Sequence, residues 1–332
     1  MRYYFSESAQ NLINPYFWNI KIAKVEKGIV LKSTGKWYNV ELEDSSVIQC
    51  GIRGKIRLQG IKSTNPVAAG DIVQIEKEDD EHGVIRGIEE RKNYIVRKSV
   101  NLSKQKHILA ANIDRAYLMV TLVAPETHMT FIDRFLVAAE SFRIPVTLLF
   151  NKIDLYFEDH LPIIENIIKL YEGIGYPCAK ISAKNNTNIE FLRKDIKGNQ
   201  VMIAGHSGTG KSTLLNALDD TLNIKTAQLS MHHLQGQHTT TFAEMHKLKT
   251  GGYIIDTPGV KAFGVVELDK KVMSHYFPEM RDLLNECKFH NCQHINEPNC
   301  AVKAAVENGL IAETRYKTYK DLMTEDQNET YR

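Results

Sequence analysis

No stretch of this chain is apolar for long enough to cross a bilayer, which takes about 20 residues. The longest, around Ala116–Ala124, falls far short. The opening MRYYFSESAQNL lacks the apolar core of a secretory signal, so neither a targeting nor a membrane segment is expected. Neither sign of charge prevails. With 42 Lys+Arg against 40 Asp+Glu the formal net charge is +2, which argues against a globally basic nucleic-acid binder. Internal repeats, low-complexity tracts, a coiled-coil pattern and an apolar tail are all missing, and a monomer is the expectation. Cysteines are few and odd in number. Of the five, Cys287, Cys292 and Cys300 crowd together beside histidines while Cys50 and Cys178 stand alone. That distribution excludes a disulfide framework and fits a metal cluster in a reducing compartment, so the cytoplasm is the expected address.

What is present suits two or three domains: 332 residues, 43% of them hydrophobic. The charge is unevenly placed, since residues 1–112 hold 18 Lys+Arg against 13 Asp+Glu and the rest of the chain is slightly acidic. Residues 18–95 alternate apolar and polar in short runs such as Asp71-Ile72-Val73-Gln74-Ile75-Glu76, punctuated by glycines. The pattern predicts a small β-barrel, either an OB-fold or an SH3-like barrel. A basic joint follows, with Arg91, Lys92, Arg97, Lys98, Lys104 and Lys106 and no acid among them, either a solvated linker or a contact strip. From Asp114 the pattern becomes α/β. Strands are expected at 116–123, 145–150, 178–182, 200–204, 241–248 and 252–256, with helices at 130–142 and 158–173, the latter stopped by Gly173 and Gly175. Six strands interleaved with helices predict a doubly wound parallel sheet. Beyond residue 267 the chain reads helical around the Cys/His cluster. The expected division is 1–100 barrel with an N-terminal extension, 101–266 nucleotide-binding domain, and 267–332 metal-binding helical domain.

Gly205-His206-Ser207-Gly208-Thr209-Gly210-Lys211-Ser212 follows an apolar strand and opens a helix at Thr213, the context a phosphate-binding loop requires. Its glycines let successive N–H groups turn inward, the helix N-terminus adds positive potential, Lys211 neutralises phosphate, and the Ser212 hydroxyl suits Mg²⁺. About fifty residues earlier, Asn151-Lys152-Ile153-Asp154 begins at the carboxyl end of a strand. The Asp154 carboxylate can accept hydrogen bonds from guanine N1–H and its exocyclic amine, which adenine cannot supply. Ser182-Ala183-Lys184 lies one βα unit later, placed to offer a backbone N–H to the guanine carbonyl. Asp256-Thr257-Pro258-Gly259 follows another strand: Asp256 would hold Mg²⁺ through a water, and the Gly259 N–H would sense the γ-phosphate. The loop Gln237–Thr241 offers hydroxyls to the same metal, Thr240 among them. Together these predict GTP binding. Lastly, Cys287, Cys292 and Cys300, with either His290 or His294, supply a Cys₃His shell suited to one structural Zn²⁺.

The order of these motifs is unusual, because an ordinary P-loop GTPase carries its phosphate loop first and its base-reading motif last. NKID, SAK, GHSGTGKS, GQHTTT and DTPG in this sequence resemble the circularly permuted GTPases of the RsgA (YjeQ/YloQ) family, and the similarity extends to ILAANID at Ile108–Asp114 and to the zinc cluster. The resemblance implies an N-terminal OB-fold, a permuted G domain and a C-terminal zinc domain with His294 as the nitrogen ligand. It also implies GTP hydrolysis to GDP stimulated by the small ribosomal subunit, whose rRNA the protein would touch during late assembly. One departure is Gln237, where family members usually carry an arginine. The residue after DTPG is Val260, which can neither donate nor accept, so the attacking water must be positioned from elsewhere. His238 is the expected catalytic group, a role the resemblance supports, with His232 and His233 as alternatives. Without such a group the chain would be an RNA-binding module using GTP as a conformational ligand.

Overall fold

The computed structural model describes residues 25–52, 66–98, 106–224, 243–256 and 268–325. Alternation of apolar and polar residues builds five short strands at the front: β1 (Val25–Ser33), β2 (Tyr38–Leu42), β3 (Val47–Ile52), β4 (Ile72–Lys77) and β5 (His82–Ile88). Their inward set, Val30, Val40, Ile48, Cys50, Val73, Ile75 and Ile85, forms one buried cluster. β1 pairs antiparallel with β2 and with β4, β2 with β3 and β4 with β5, while β3 runs parallel to β5. The ladder therefore closes on itself in the order 1-2-3-5-4-1. That is a five-stranded Greek-key barrel, the OB-fold, and it decides against the SH3-like alternative.

The basic joint is more ordered than expected. Arg91 is turned inward: Nε bonds Asp71 Oδ1 (2.6 Å), and Nη2 bonds Asp71 Oδ2 (2.6 Å) and the Pro66 carbonyl (2.7 Å). Lys92 pairs with Asp114. These two cations fasten the linker and offer no contact strip. Arg97, Lys98 and Lys106 lie on a separate antiparallel ribbon, β6 (Tyr94–Lys98) with β7 (Lys106–Ala111), and Lys104 lies outside the described residues.

Apolar runs form the central strands β8 (Arg115–Val120), β9 (Val146–Phe150) and β11 (Gln200–Ala204), joined by the shorter β10 (Cys178–Lys180), β12 (Glu244–Lys247) and β13 (Tyr253–Asp256). Their order is β10-β9-β8-β11-β13-β12, parallel except for β12 at the edge. Helices α1 (Met129–Ser141) and α2 (His160–Ile174) contribute to the buried cluster on one face, α3 (Glu190–Ile196) and α4 (Lys211–Leu218) to that on the other. The first strand stops at Val120, short of Val123. There Thr121 closes a tight loop, accepting the Thr127 N–H (2.7 Å) and bonding the Pro125 carbonyl (2.5 Å). Helix α2 runs through Gly173 and ends only at Gly175, whose φ of +110° is left-handed.

Barrel and sheet are continuous, because Lys32 of β1 partners Glu244 of β12. Beyond residue 267 the described chain holds no strand. Turns lead to α5 (Pro278–Arg281), α6 (Ala301–Glu307) and α7 (Glu313–Thr324), which bury Met273, Phe277, Met280, Val302, Ile311 and Tyr319 against Val137 of α1. No helix among the described residues is long and apolar enough to cross a membrane.

Candidate functional site

The phosphate loop leaves β11 at Ala204, and α4 starts at Lys211 with Gly210 as N-cap, φ +97°. A Cβ on Gly210 would lie 2.5 Å from Asn151 Nδ2, and one on Gly208 would lie 2.9 Å from Pro125 Cδ. Only glycine satisfies both the left-handed backbone and the close approach at these points. Lys211 folds over the loop, its Nζ donating to the carbonyls of Gly205 (2.7 Å) and His206 (2.8 Å). The first N–H groups of α4 have no intrahelical acceptor, which makes this end a cradle for an anion. Ser212 is buried, Thr213 half-buried, and Ser207 exposed at the rim.

Asn151 connects three motifs. Its backbone N–H donates to the Val120 carbonyl (2.8 Å), extending the β8–β9 pairing by one bond. Its side chain is 2% exposed. Nδ2 donates to the Thr209 carbonyl in the phosphate loop (2.8 Å), and Oδ1 accepts the Ala183 N–H (3.0 Å). Asp154, exposed on a 3₁₀ turn spanning Ile153–Leu155, accepts the Ser182 hydroxyl on Oδ1 (2.5 Å). Ser182 and Thr187 exchange two backbone bonds that close the SAK loop, with Lys184 exposed. Lys152 takes a left-handed φ of +65° and donates to the Ala124 carbonyl; burial holds its pKa below the ordinary lysine value. Segments about fifty residues apart thus meet in one cleft at the carboxyl ends of parallel strands, where doubly wound sheets bind ligands.

A contact that the motifs do not announce completes the phosphate loop. His206 Nδ1 lies 3.0 Å from the Ser207 carbonyl and so donates there, leaving Nε2 to accept the Thr127 hydroxyl at 2.6 Å. Burial, reinforced by the nearby Lys211 and Lys152 ammonium groups, lowers the imidazole pKa. Phe131 of α1 packs its ring edge-on, 5.6 Å between centroids. The only sequence signal for Thr127 is its place before a helix. A groove of about 510 Å³ lined by Arg115, Tyr117, Phe191 and Asp195 lies beside α3 and contains no motif residue.

Asp256 ends β13 and is described through its backbone. Thr240, Gly259, His238, Gln237, Val260, His232 and His233 lie outside the described residues.

Cys287, Cys292, His294 and Cys300 converge, with their ligand atoms all within 4.8 Å of one another, and they can hold a metal ion. His294 Nδ1 faces Cys287 Sγ at 3.5 Å and Cys300 Sγ at 3.4 Å, and Nε2 has no hydrogen-bond partner among the described residues. His290 is exposed and outside the group. Glu297 accepts the backbone N–H groups of Gln293, Ile295 and Asn296, while Tyr316 and Tyr319 of α7 donate to the carbonyls of His294 and Gln293 (both 2.7 Å). Burial raises the Cys292 thiol to about 12.

Residues 88–266 match the model of the RsgA GTPase family, and residues 27–85 that of the RsgA N-terminal domain. The sequence is 53% identical over 309 residues to the small ribosomal subunit biogenesis GTPase RsgA of Christiangramia forsetii, covering 92% of this chain and 98% of that one. It is 50% identical over 306 residues to RsgA 2 of Bacteroides thetaiotaomicron, covering 92% and 99%. The fold superposes on that of YjeQ from Thermotoga maritima with a TM-score of 0.74 at 36% identity, over 90% of this chain and 98% of that one. For YloQ, described as a circularly permuted GTPase, the TM-score is 0.71 at 29% identity, over 91% and 94%.

Proposed function

This chain belongs to the RsgA GTPase family, and from that premise we propose how its residues divide the work of small-ribosomal-subunit biogenesis. It is a GTPase that assists maturation of the small subunit, hydrolysing GTP to GDP and phosphate. The observation that carries the residue assignment is the Asn151 side chain, which joins the phosphate loop at Thr209 to the SAK loop at Ala183. A triphosphate on the Gly205–Thr213 loop and a base against Asp154 then belong to one ligand. Lys211 exchanges its two loop carbonyls for phosphate oxygens. Asp154, steadied by Ser182, reads the guanine N1–H and amine, while Lys152 and Ile153 flank the ring. The buried Ser212 hydroxyl, with Asp256 and Thr240, holds Mg²⁺, which supplies neutralisation of the charge developing on the phosphates. Gly259 senses the γ-phosphate and His238 orients the attacking water.

Zn²⁺ suits the Cys₃His set: three thiolates and an imidazole close a tetrahedral shell, so the ion is structural. The protein acts as a monomer in the cytoplasm, touching the subunit's rRNA. Phosphate release measured against added small subunits tests this reading. Turnover should be slow alone and rise with subunit concentration, and Asp154→Asn should shift preference toward xanthosine triphosphate. Negligible phosphate release with and without subunits would leave GTP as a conformational ligand only, and a measurable rate unmoved by subunits would overturn the stimulation.

A further inference from the structure

The described surface carries ten large exposed hydrophobic side chains, and four of them, Leu155, Phe157, Leu161 and Ile163, fall within nine residues directly after the base-reading motif. Phe157 is 75% exposed and Leu161 and Ile163 each 51%, values at which single apolar residues are ordinary but a cluster is not. Helix α2 has no need of them, since it buries the other set: Ile164, Ile168 and Tyr171. Nor is the segment loose. Tyr156 donates to the Asn151 carbonyl (2.8 Å) and accepts the Leu122 N–H (3.1 Å), while His160 Nδ1 accepts the Phe157 N–H (3.0 Å). The Phe157 and His160 rings lie 6.0 Å apart.

Charge narrows the occupant. Residues 153–168, IDLYFEDHLPIIENII, contain Asp154, Glu158, Asp159 and Glu165 and neither Lys nor Arg. All four carboxylates are exposed; Glu165 is paired with Lys180, and Asp154, Glu158 and Asp159 supply the remaining negative charge. Such a field repels a phosphate backbone and attracts cationic groups. An apolar centre inside an acidic rim is complementary to a protein segment bearing apolar side chains among lysines and arginines.

We propose that Leu155–Ile163 is a docking surface for a basic, apolar protein segment of the small ribosomal subunit, placed one turn from the guanine-reading Asp154. The inference rests on the subunit-binding reading above and adds that this part of the contact is made with protein, not RNA. A photo-cross-linking phenylalanine derivative placed at position 157 of the full-length protein, irradiated with purified small subunits and a non-hydrolysable GTP analogue, should label a basic subunit protein. The pair Phe157→Ser and Leu161→Ser should weaken co-sedimentation with subunits about tenfold while GTP affinity holds. Label on rRNA alone, on a second copy of this chain or on nothing, with co-sedimentation intact, would overturn the docking surface and leave subunit binding standing. Failure of the unaltered protein to co-sediment would overturn both.

Discussion

The G domain is joined to its two neighbours by opposite means. At the back, Arg315 of α7 is fully buried between Asp133 of α1 (3.0 Å) and Glu279 of α5 (2.7 and 3.2 Å), with its guanidinium 4.7 Å above the Phe277 ring. Asp133 is completed by Thr318 (2.9 Å) and Tyr171 (2.8 Å), so its two oxygens accept three bonds from both sides of the seam. At the front Ala69, with Ile29 and Leu31 of β1, packs on the apolar core of the sheet, and each ion pair across the seam has an exposed partner. Lys32 meets Glu244 with both side chains about two-fifths exposed, Lys247 reaches the buried Glu41, and Asn112 donates to the Gly70 carbonyl. The front's most buried ion pair, Arg91 with Asp71, is used inside the barrel and its linker. Buried charge rewards one geometry only and penalises every partial opening, whereas exposed charge tolerates movement. The back unit is thus fixed on α1, which also meets the phosphate loop through Phe131, by a fully buried charge network that the front seam lacks among the described residues.

The comparison is tested most severely by taking metal from the Cys₃His set. Metal binding and folding are one event in such small units, with on the order of 10 kcal/mol at stake. Chelation should therefore abolish the helical signal of α6 and α7 and expose Phe277 and Tyr319, while amide exchange in the barrel stays unchanged. Exchange that rises equally in both neighbours would mean that the seams are not independent. Next in size is Arg315→Ala. It strands Asp133 and Glu279 as unpaired buried carboxylates, a loss of about 3–5 kcal/mol. Protease resistance of the back unit and exchange protection of α7 should fall sharply, with metal content retained. A cost below about 1 kcal/mol would place the back seam in the same class as the front.

Much of this was legible in the sequence, and what was not has a physical reason. The phosphate loop, NKID and the Cys₃His set are local spacings, and each was placed by residue number with the converging partners following from strand ends. Alternation alone does not separate an OB-fold from an SH3-like barrel, because it fixes a strand's inward face and says nothing about which strand is its neighbour; the resemblance to the family is what points to the OB-fold. Arg91 and Lys92 read as an exposed basic strip because sequence shows charge and not the distant Asp71 and Asp114 that neutralise it. Asp133 and Arg315 lie too far apart in the chain for any local pattern to join them. Thr127 gives no cue beyond its place before a helix, since its hydroxyl matters only once β8 ends early and the 121–128 loop turns toward His206.

The smallest expected effect is the most informative about the front seam. β1 and β12 meet at one Cα pair, Lys32 with Glu244, so the ladder joining barrel to sheet is short, and the 2.8 Å ion pair above it is one of several side-chain contacts beside it. An exposed pair gains little, because water screens the attraction and two long side chains must be held in place. Lys32→Ala should cost no more than about 1 kcal/mol in denaturant unfolding, and the difference from the unaltered protein should shrink as salt rises from 0.01 to about 1 M, where the screening length drops to about 3 Å. A penalty near that of Arg315→Ala, or one indifferent to salt, would mean that Lys32 acts through packing of its stem and that the barrel is held as firmly as the back unit. A small, salt-sensitive loss would instead mean that the Lys32 pair adds little, and that the barrel is held on the sheet by the packing of Ile29, Leu31 and Ala69 and by the Glu41 contacts with Lys247 and Tyr253.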